Sequence, residues 1–244
     1  MRDREAARKK ARALVSRMTL EEKVSQLRHD APAVERLGIP AYNWWNEGLH
    51  GVARAGVATS FPQALALAAM FDRDLVSQIA GAIALEGRAK YNEFVGHGDR
   101  DIYKGLTFFS PNINLFRDPR WGRGHETFGE DPYLTAELGK AFVTGLQGDG
   151  ETMKAGACAK HFAVHSGPEA IRHRFNATCS QKDLWETYLP AFEALVCEAG
   201  VESVMGAYNR FNGEPCCASE RLLTDTLRKK WGFQGYVVSD YGAL

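Results

Sequence analysis

The chain has 244 residues, 45% hydrophobic and 25% charged, so it can bury a sizeable core and has ordinary globular composition. Its 30 basic and 30 acidic residues cancel, which argues against nucleic acid or an anionic membrane as a partner. No apolar run approaches the roughly 20 residues that span a bilayer, and the charged N-terminus has no apolar stretch of an export signal behind it.

The cysteines are odd in number and have no C-x-x-C spacing, which argues against both a disulfide framework and a zinc site. They are Cys158, Cys179, Cys197, Cys216 and Cys217. This usage favours a reducing compartment. We therefore expect a cytoplasmic protein, with secretion left open because a signal that had been removed would leave no trace.

Two helices are predicted at the start of the chain, Arg4–Met18 and Leu20–Leu27. Thr19 and Glu22 have the spacing of a capping box, which opens the second helix. We expect residues 1–40 to form a helical prelude packed outside the main fold, and residues 41–244 to form the main domain.

After residue 40, short apolar runs alternate with longer amphipathic stretches. The apolar runs predict strands at Ala41–Trp44, Leu106–Ser110, Ala157–Phe162, Val201–Ala207 and Gly235–Ser239. The three- and four-residue spacing of apolar positions predicts helices at Asp74–Phe94, Pro132–Gln147, Lys182–Ala199 and Ser219–Lys230. Leu65–Phe71 is consistent with either element. The alternation predicts a parallel sheet with crossover helices.

A barrel is favoured over a nucleotide-binding sheet. No G-x-G-x-x-G follows a strand, and no phosphate-binding G-x-x-x-x-G-K-[ST] occurs, so no nucleotide cofactor is predicted. Polar and charged residues gather after nearly every strand, as the loops of an α/β TIM-type barrel require. About six strands are predicted where a closed barrel needs eight, so we expect the barrel to be incomplete within this chain.

The first polar cluster, N-W-W-N-E-G-L-H-G-V-A-R, covers Asn43–Arg54. Trp44 and Trp45 are compatible with a place in the core. The alternative is a sugar pocket, in which an aromatic face stacks on a pyranose and the carboxylate of Glu47 accepts hydrogen bonds from its hydroxyls.

The second cluster, R-D-P-R-W-G-R-G-H-E-T-F-G-E-D, covers Arg117–Asp131. It is compatible with a solvated surface turn. Arg123 lies between two glycines, so its planar guanidinium can also come close to a ligand oxygen. Glu130 and Asp131 are better placed to cap the helix that begins at Pro132.

The third cluster, A-K-H-F-A-V-H-S-G-P-E-A-I-R-H-R, covers Ala159–Arg174 and has Lys160 and His161 side by side at a strand end. Neighbours on a strand point to opposite faces, so these two need a bulge or twist to serve one ligand. His161, His165 and His173 lack a helical spacing and a partner carboxylate, so no metal site is predicted.

Two further strand ends carry candidates. Tyr208, in M-G-A-Y-N-R-F-N, is either a core aromatic or a hydroxyl that holds a carboxylate in place. Asp240 follows Y-V-V-S at the end of the last predicted strand, where α/β barrels keep their chemistry. A role as the N-cap of a following helix is the alternative for Asp240.

These motifs resemble, in order and nearly end to end, the N-terminal barrel domain of glycoside hydrolase family 3. The resemblance rests on T-L-E-E-K-V, N-E-G-L-H-G, R-D-P-R-W-G-R-G, K-H-F-A, G-A-Y-N and V-V-S-D-Y. It implies that Asp240 is the nucleophile and that Tyr208 lies beside it. It also implies that Arg123, Lys160 and His161 bind the hydroxyls of the sugar in subsite −1.

Glu47 falls where relatives that act on glucosides usually carry Asp. A carboxylate one methylene longer takes the space that the hydroxymethyl group of glucose needs, which is worth about 1 to 3 kcal/mol of discrimination. We therefore expect a β-xylosidase that removes terminal β-D-xylosyl residues from xylo-oligosaccharides. A β-glucosidase is the alternative.

The resemblance implies retaining hydrolysis through a glycosyl-enzyme intermediate on Asp240. In most of the family the acid/base is a Glu on a later domain or loop, and this chain has no such region. The branch with a His acid/base inside the barrel is disfavoured, since no D-S-H follows K-H-F-A-V-H-S-G-P-E. We expect a complementary polypeptide to carry the acid/base and the remaining strands; an inactive sugar-binding or assembly fragment is the alternative.

Overall fold

The computed structural model describes residues 4–243. Helices α1 to α7 span Arg4–Val15, Leu20–Ser25, Ala64–Ala68, Arg73–Gly96, Pro132–Gln147, Gln181–Asp183 and Pro190–Cys197. Two π-helices span Leu184–Tyr188 and Glu220–Lys230. Strands β1 to β8 span Asp30–Ala31, Tyr42–Asn43, Cys158–Phe162, Asn176–Ala177, Ser203–Gly206, Arg210–Phe211, Glu214–Pro215 and Tyr236–Ser239.

The central sheet is parallel, with β5 between β3 and β8. Single parallel bridges extend it in the other direction, from β3 to the segment around Phe108 and from there to Asn46. The described part of the chain thus sets five extended segments side by side in chain order. This confirms the predicted α/β fold with an incomplete TIM-type barrel.

The sheet curves strongly, because its two ends come back into contact. The ring of Trp44, beside the first segment, meets the ring of Tyr236 on β8 edge to face, with centroids 5.2 Å apart. Trp45 lies 5.2 Å from Tyr241, just after β8. A concave face therefore opens at the carboxyl ends of the segments, where parallel strands deliver their last residues to one place.

The long helices pack outside this sheet, and α5 lies between α4 and α7. Its start is specified locally: Asp131 accepts a hydrogen bond from the Leu134 N–H, and Pro132 occupies the first turn. β3 and β5 are completely buried between helices and barrel interior, as parallel strands usually are.

The predicted capping box is present: Thr19 and Glu22 exchange hydrogen bonds at the start of α2. Arg4 on α1 forms an ion pair with Glu202, 2.8 Å away and just ahead of β5. The division of the chain at residue 40 stays a prediction. No helix within residues 4–243 is long and apolar enough to cross a membrane.

Several predicted elements differ from the structure. The strand predicted over Leu106–Ser110 forms only single bridges, and the helix predicted over Ser219–Lys230 is a π-helix over Glu220–Lys230. Tyr42–Asn43 pairs antiparallel with β1 instead of joining the barrel, and the barrel segment begins further along, at Asn46. The helix predicted over Lys182–Ala199 is interrupted before Pro190, which has no N–H to donate and crowds the preceding turn. The undecided stretch after residue 63 is helical, as α3.

Candidate active site

A cavity of about 910 Å³ opens at the carboxyl ends of the parallel segments, and we call it the main cavity. Every side chain that the sequence analysis nominated lines it: Trp44, Glu47, Arg123, Lys160, His161, Tyr208 and Asp240. A second cavity of about 870 Å³, the side cavity, shares Trp45, Glu47, Arg54, Arg123 and Lys160 with it. Topology explains part of the convergence, since Asp240 and Tyr208 follow neighbouring parallel strands, whereas Arg123 is brought in by the long loop after the second segment.

Asp240 follows β8 and is 9% exposed. Its Oδ1 accepts the N–H of Tyr241 at 2.8 Å, whereas Oδ2 accepts no hydrogen bond from the described residues. Burial raises the pKa of the Asp240 carboxyl, and the Tyr241 N–H, Arg123 and Lys160 partly offset that rise. One oxygen is thus held by a backbone N–H, while the other is buried beside Nε2 of His161, 3.5 Å away.

Arg123 is held by its own loop. Its Nε and Nη2 donate to the two carboxylate oxygens of Glu126 at 2.8 and 2.7 Å, and Nη1 donates to Nε2 of His161 at 3.1 Å. Burial lowers the pKa of Arg123, but the Glu126 carboxylate outweighs it, and the net direction is upward. The alternative of a solvated surface turn is wrong for this side chain, which is only 18% exposed.

The glycines around Arg123 have a different role from the expected one. A Cβ on Gly124 would collide with the ring of Phe116, and a Cβ on Gly122 would come within 3.0 Å of the carboxyl carbon of Glu169. These glycines therefore make room for neighbouring protein side chains.

Lys160 and His161 both line the main cavity although they are adjacent on β3. The pairing of β3 with β5 shifts register between Lys160 and Phe162, which confirms the predicted bulge. Nζ of Lys160 lies 3.7 Å from Oε2 of Glu47, and Nε2 of His161 lies 3.5 Å from Oδ2 of Asp240. The peptide bond between Lys160 and His161 is cis.

The buried histidines are neutral. Burial lowers the pKa of His161 well below its ordinary value, and Arg123 and Lys160 lower it further. Burial likewise lowers the pKa of His165 to about 3. The described residues contain no group of three His, Cys, Asp or Glu side chains arranged to hold a metal ion.

Glu47 and Tyr208 are two further residues in the wall of the main cavity. Oε1 of Glu47 accepts the indole N–H of Trp45 at 3.0 Å. Burial raises the pKa of Tyr208 to about 12, and the nearby Asp240 carboxylate contributes to that rise. Its ring packs against His173, with centroids 4.2 Å apart. Tyr208 therefore carries a neutral hydroxyl beside the carboxylate.

The cavity also has walls that the sequence analysis gave no role. They are Gln26, Leu27, Arg28, His29, Arg54, Phe109, Arg172, Met205, Tyr236, Val237, Val238, Ser239, Tyr241 and Gly242. Arg172 lies 12 positions after Lys160 on a long loop, and no periodicity in the sequence marks it as facing the cavity. The segment around Arg28 precedes the barrel, so no strand-end argument could include it.

Comparison with known proteins agrees with this geometry. The family model described as "Glycosyl hydrolase family 3 N terminal domain" matches residues 8–244. A xylan 1,4-beta-xylosidase of Xylanibacter ruminicola is 49% identical over 98% of this chain, which spans 28% of that protein.

Two solved structures are also similar. The GH3 exo-beta-xylosidase XlnD, in complex with a xylobiose aziridine activity-based probe, has a TM-score of 0.88 and 40% identity over 96% of this chain. The GH3 beta-glucosidase of Bifidobacterium adolescentis has a TM-score of 0.81 and 36% identity over 94%. This chain spans 31% and 32% of those proteins, respectively. On the family match and the shared fold, the chain belongs to glycosyl hydrolase family 3.

Proposed function

We propose that this chain provides the nucleophile and the sugar pocket of a retaining β-xylosidase that removes terminal β-D-xylosyl residues from xylo-oligosaccharides. The observation that carries the proposal is the buried carboxylate of Asp240 in the wall of the main cavity, where Arg123, Lys160 and Tyr208 lie close to it. The similarity to proteins named as β-xylosidases supports the sugar.

In the first step, a carboxylate oxygen of Asp240 forms a bond to the anomeric carbon as the bond from that carbon to the leaving oxygen breaks. The leaving oxygen takes a proton from a general acid. Water then attacks the anomeric carbon, gives a proton to the same group, and releases Asp240. Arg123 and Lys160 offer fixed donors for sugar hydroxyls, so binding costs little reorganisation.

The acid/base is proposed to come from outside residues 4–243. Glu126 is unsuited to donate a proton, because Arg123 binds both its oxygens and lowers its pKa against the effect of burial. Both oxygens of Glu47 already have partners, since Oε1 accepts the Trp45 indole N–H and Oε2 lies 3.7 Å from Nζ of Lys160. A retaining pair needs its carboxyl groups about 5 to 5.5 Å apart, so that group has to reach this cavity.

The test uses a leaving group that needs no acid. We expect 2,4-dinitrophenyl 2-deoxy-2-fluoro-β-xyloside to release dinitrophenolate once per chain and to leave a fluoroxylosyl adduct. Peptide mapping should place the adduct on Asp240. A folded chain, checked by circular dichroism, that forms no adduct or forms it on another residue would overturn the proposal. Hydrolysis of unactivated xylobiose by this chain alone would overturn the external acid/base.

A β-glucosidase is the second candidate, favoured by the likeness to the Bifidobacterium adolescentis enzyme. The matching fluoroglucoside separates the two. Faster adduct formation with the glucoside than with the xyloside would favour this second candidate. Faster reaction of the xyloside would favour the first.

A further inference from the structure

The side chain of Asn114 forms hydrogen bonds with both backbone groups of His161. Asn114 is 4% exposed, and its Oδ1 accepts the backbone N–H of His161 at 2.7 Å. Its Nδ2 donates to the backbone carbonyl of His161 at 2.8 Å. Because a backbone N–H only donates and a carbonyl only accepts, these two bonds identify the oxygen and nitrogen of the amide.

The same oxygen fixes the proton on the imidazole. Oδ1 of Asn114 lies 2.9 Å from Nδ1 of His161, so Nδ1 must carry the hydrogen that this contact needs. A neutral imidazole has a single N–H, which leaves Nε2 with a lone pair. Nη1 of Arg123 donates to that lone pair at 3.1 Å.

The other tautomer would rearrange the site. An N–H on Nε2 would face the N–H of Arg123, donor against donor. It would also point at Oδ2 of Asp240, 3.5 Å away, and occupy the oxygen that is otherwise free. A hydrogen bond to a carboxylate stabilises its charge and weakens it as a nucleophile.

We propose that Asn114 is a positioning residue that fixes His161 in the Nδ1–H tautomer, so that Nε2 accepts from Arg123 and leaves Oδ2 of Asp240 free to attack. The tautomer stands on hydrogen-bond geometry alone, whereas its consequence for Asp240 rests on the proposed function.

A second pair repeats the arrangement. Oδ1 of Asn209 lies 3.1 Å from Nδ1 of His165, while its Nδ2 donates to the backbone carbonyls of Ala163 and Arg210 at 3.2 and 3.1 Å. By the same reasoning His165 carries its proton on Nδ1. The two imidazoles lie side by side with centroids 4.8 Å apart.

Imidazole ¹⁵N NMR reads the tautomer directly. In the chain labelled at histidine, the signal lost in His161→Gln identifies His161. We expect a protonated Nδ1 and an unprotonated Nε2 from pH 6 to 8. A protonated Nε2, or exchange between both tautomers, would overturn the proposal without any variant of Asn114.

The Asn114→Asp variant then tests the consequence. A carboxylate beside Nδ1 favours the imidazolium, whose Nε2–H would bind Asp240 and repel Arg123. We expect both ring nitrogens of His161 to be protonated and the rate of adduct formation to fall roughly 10- to 100-fold, the range for one hydrogen bond to a charged group.

The matched control is Asn176→Asp, which keeps the hydrogen bond from the Gly213 N–H to its Oδ1 at 2.8 Å and lies outside both cavities. It should leave the tautomer and the rate unchanged. An unchanged rate in a folded Asn114→Asp chain would overturn the proposed consequence. A wild-type chain with the Nδ1–H tautomer that forms no adduct would instead count against the proposed function alone.

Discussion

Oε2 of Glu47 lies 3.7 Å from Nζ of Lys160, while its other oxygen accepts the indole N–H of Trp45 at 3.0 Å. Both oxygens of Glu47 are therefore engaged, one from the β3 side and one from its own segment. The carboxylate is fixed between the main and side cavities, which both include it in their walls.

The Glu47→Asp variant should shift sugar preference toward glucose, because withdrawing the carboxylate by one methylene opens space for a hydroxymethyl group. We expect the ratio of kcat/KM for aryl glucoside over aryl xyloside to rise roughly 10- to 200-fold, the usual value of one methylene in a pocket. Paired adduct-formation rates measure it. Glu93→Asp, an exposed change on α4, should leave the ratio alone; an unchanged ratio in Glu47→Asp would contradict the steric role.

The Asp240→Asn variant should form no glycosyl adduct and yet resist heat better at neutral pH. Burial raises the pKa of Asp240, so the folded protein holds that proton more tightly than the unfolded chain. Ionised Asp240 therefore costs stability above the unfolded pKa of about 3.9. The gain in Tm should be present at pH 7 and vanish near pH 3. A lower Tm than wild type at pH 7 would contradict this.

The rate of adduct formation should also depend on the ionisation of Asp240. The attacking group is the carboxylate, so the rate should fall as pH falls through the raised pKa of Asp240. We expect the midpoint above 3.8, the ordinary value for aspartate. Stopped-flow release of dinitrophenolate, with circular dichroism at each pH to confirm folding, gives the midpoint. A midpoint at or below 3.8 would count against burial as the dominant effect.

Glu126→Gln should lower the free energy of unfolding, although Glu126 has no proposed contact with the sugar. The amide keeps the shape of Glu126, but it turns an NH₂ toward the guanidinium of Arg123 and removes one of two short bonds. The expected loss is about 1.5 to 3 kcal/mol, together with slower adduct formation. Thermal unfolding and dinitrophenolate release check both, with exposed Glu93→Gln as control. No change in either quantity would show that Arg123 does not need this partner.

Two glycines at the α4–α5 contact should respond in opposite directions to alanine. A Cβ on Gly145 would overlap the backbone carbonyl of Ser77, whereas a Cβ on Gly81 has its nearest neighbour at 3.8 Å. Gly145→Ala should cost about 1 to 3 kcal/mol or more through overpacking. Gly81→Ala should gain roughly 0.5 to 1 kcal/mol in a helix interior. Denaturant unfolding measures both, and equal effects would refute close packing there.

The sequence predicts α5 best, with the boundaries that the structure shows, because its ends carry local signals. Asp131 caps the first turn, and Gly148 follows the last turn with a φ of 66°. The neighbouring helical stretch after residue 181 was predicted worse. Leu189 donates its N–H to the carbonyl of Leu184, five residues back, in the turn before Pro190. Apolar periodicity does not distinguish that spacing from an ordinary helical turn.

The candidate site was predicted at the level of strand ends. Asp240 and Tyr208 follow β8 and β5, and Lys160 lies within the short strand β3, so parallel topology brings these residues to one side of the sheet. That reasoning did not identify Asn114 or Arg172. Asn114 is recognisable only from its contacts across to His161, and Arg172 depends on the path of a long loop.

The first barrel segment could not be recognised from the sequence, because a polar residue makes its bridge to the next segment. Asn46 is completely buried and makes the parallel bridge to Phe108, yet nothing in N-W-W-N-E-G marks it as a sheet residue. Its side-chain Oδ1 accepts the Gly105 N–H, and its Nδ2 donates to the Thr107 carbonyl. The side chain of Asn46 thus makes hydrogen bonds between the first two segments that the main chain makes in an ordinary strand pair.

The register shift in β3 has a consequence for how this stretch can change over evolution. Strand side chains alternate between faces, so inserting or deleting one residue ahead of the shift would send Lys160 or His161 toward the helices. Residues in loops a few positions away have no such alternation of faces to preserve. Length variation among natural variants should therefore collect in loops such as 149–154 and be absent from Cys158–Phe162, where a single-residue gap would turn Lys160 or His161 out of the main cavity.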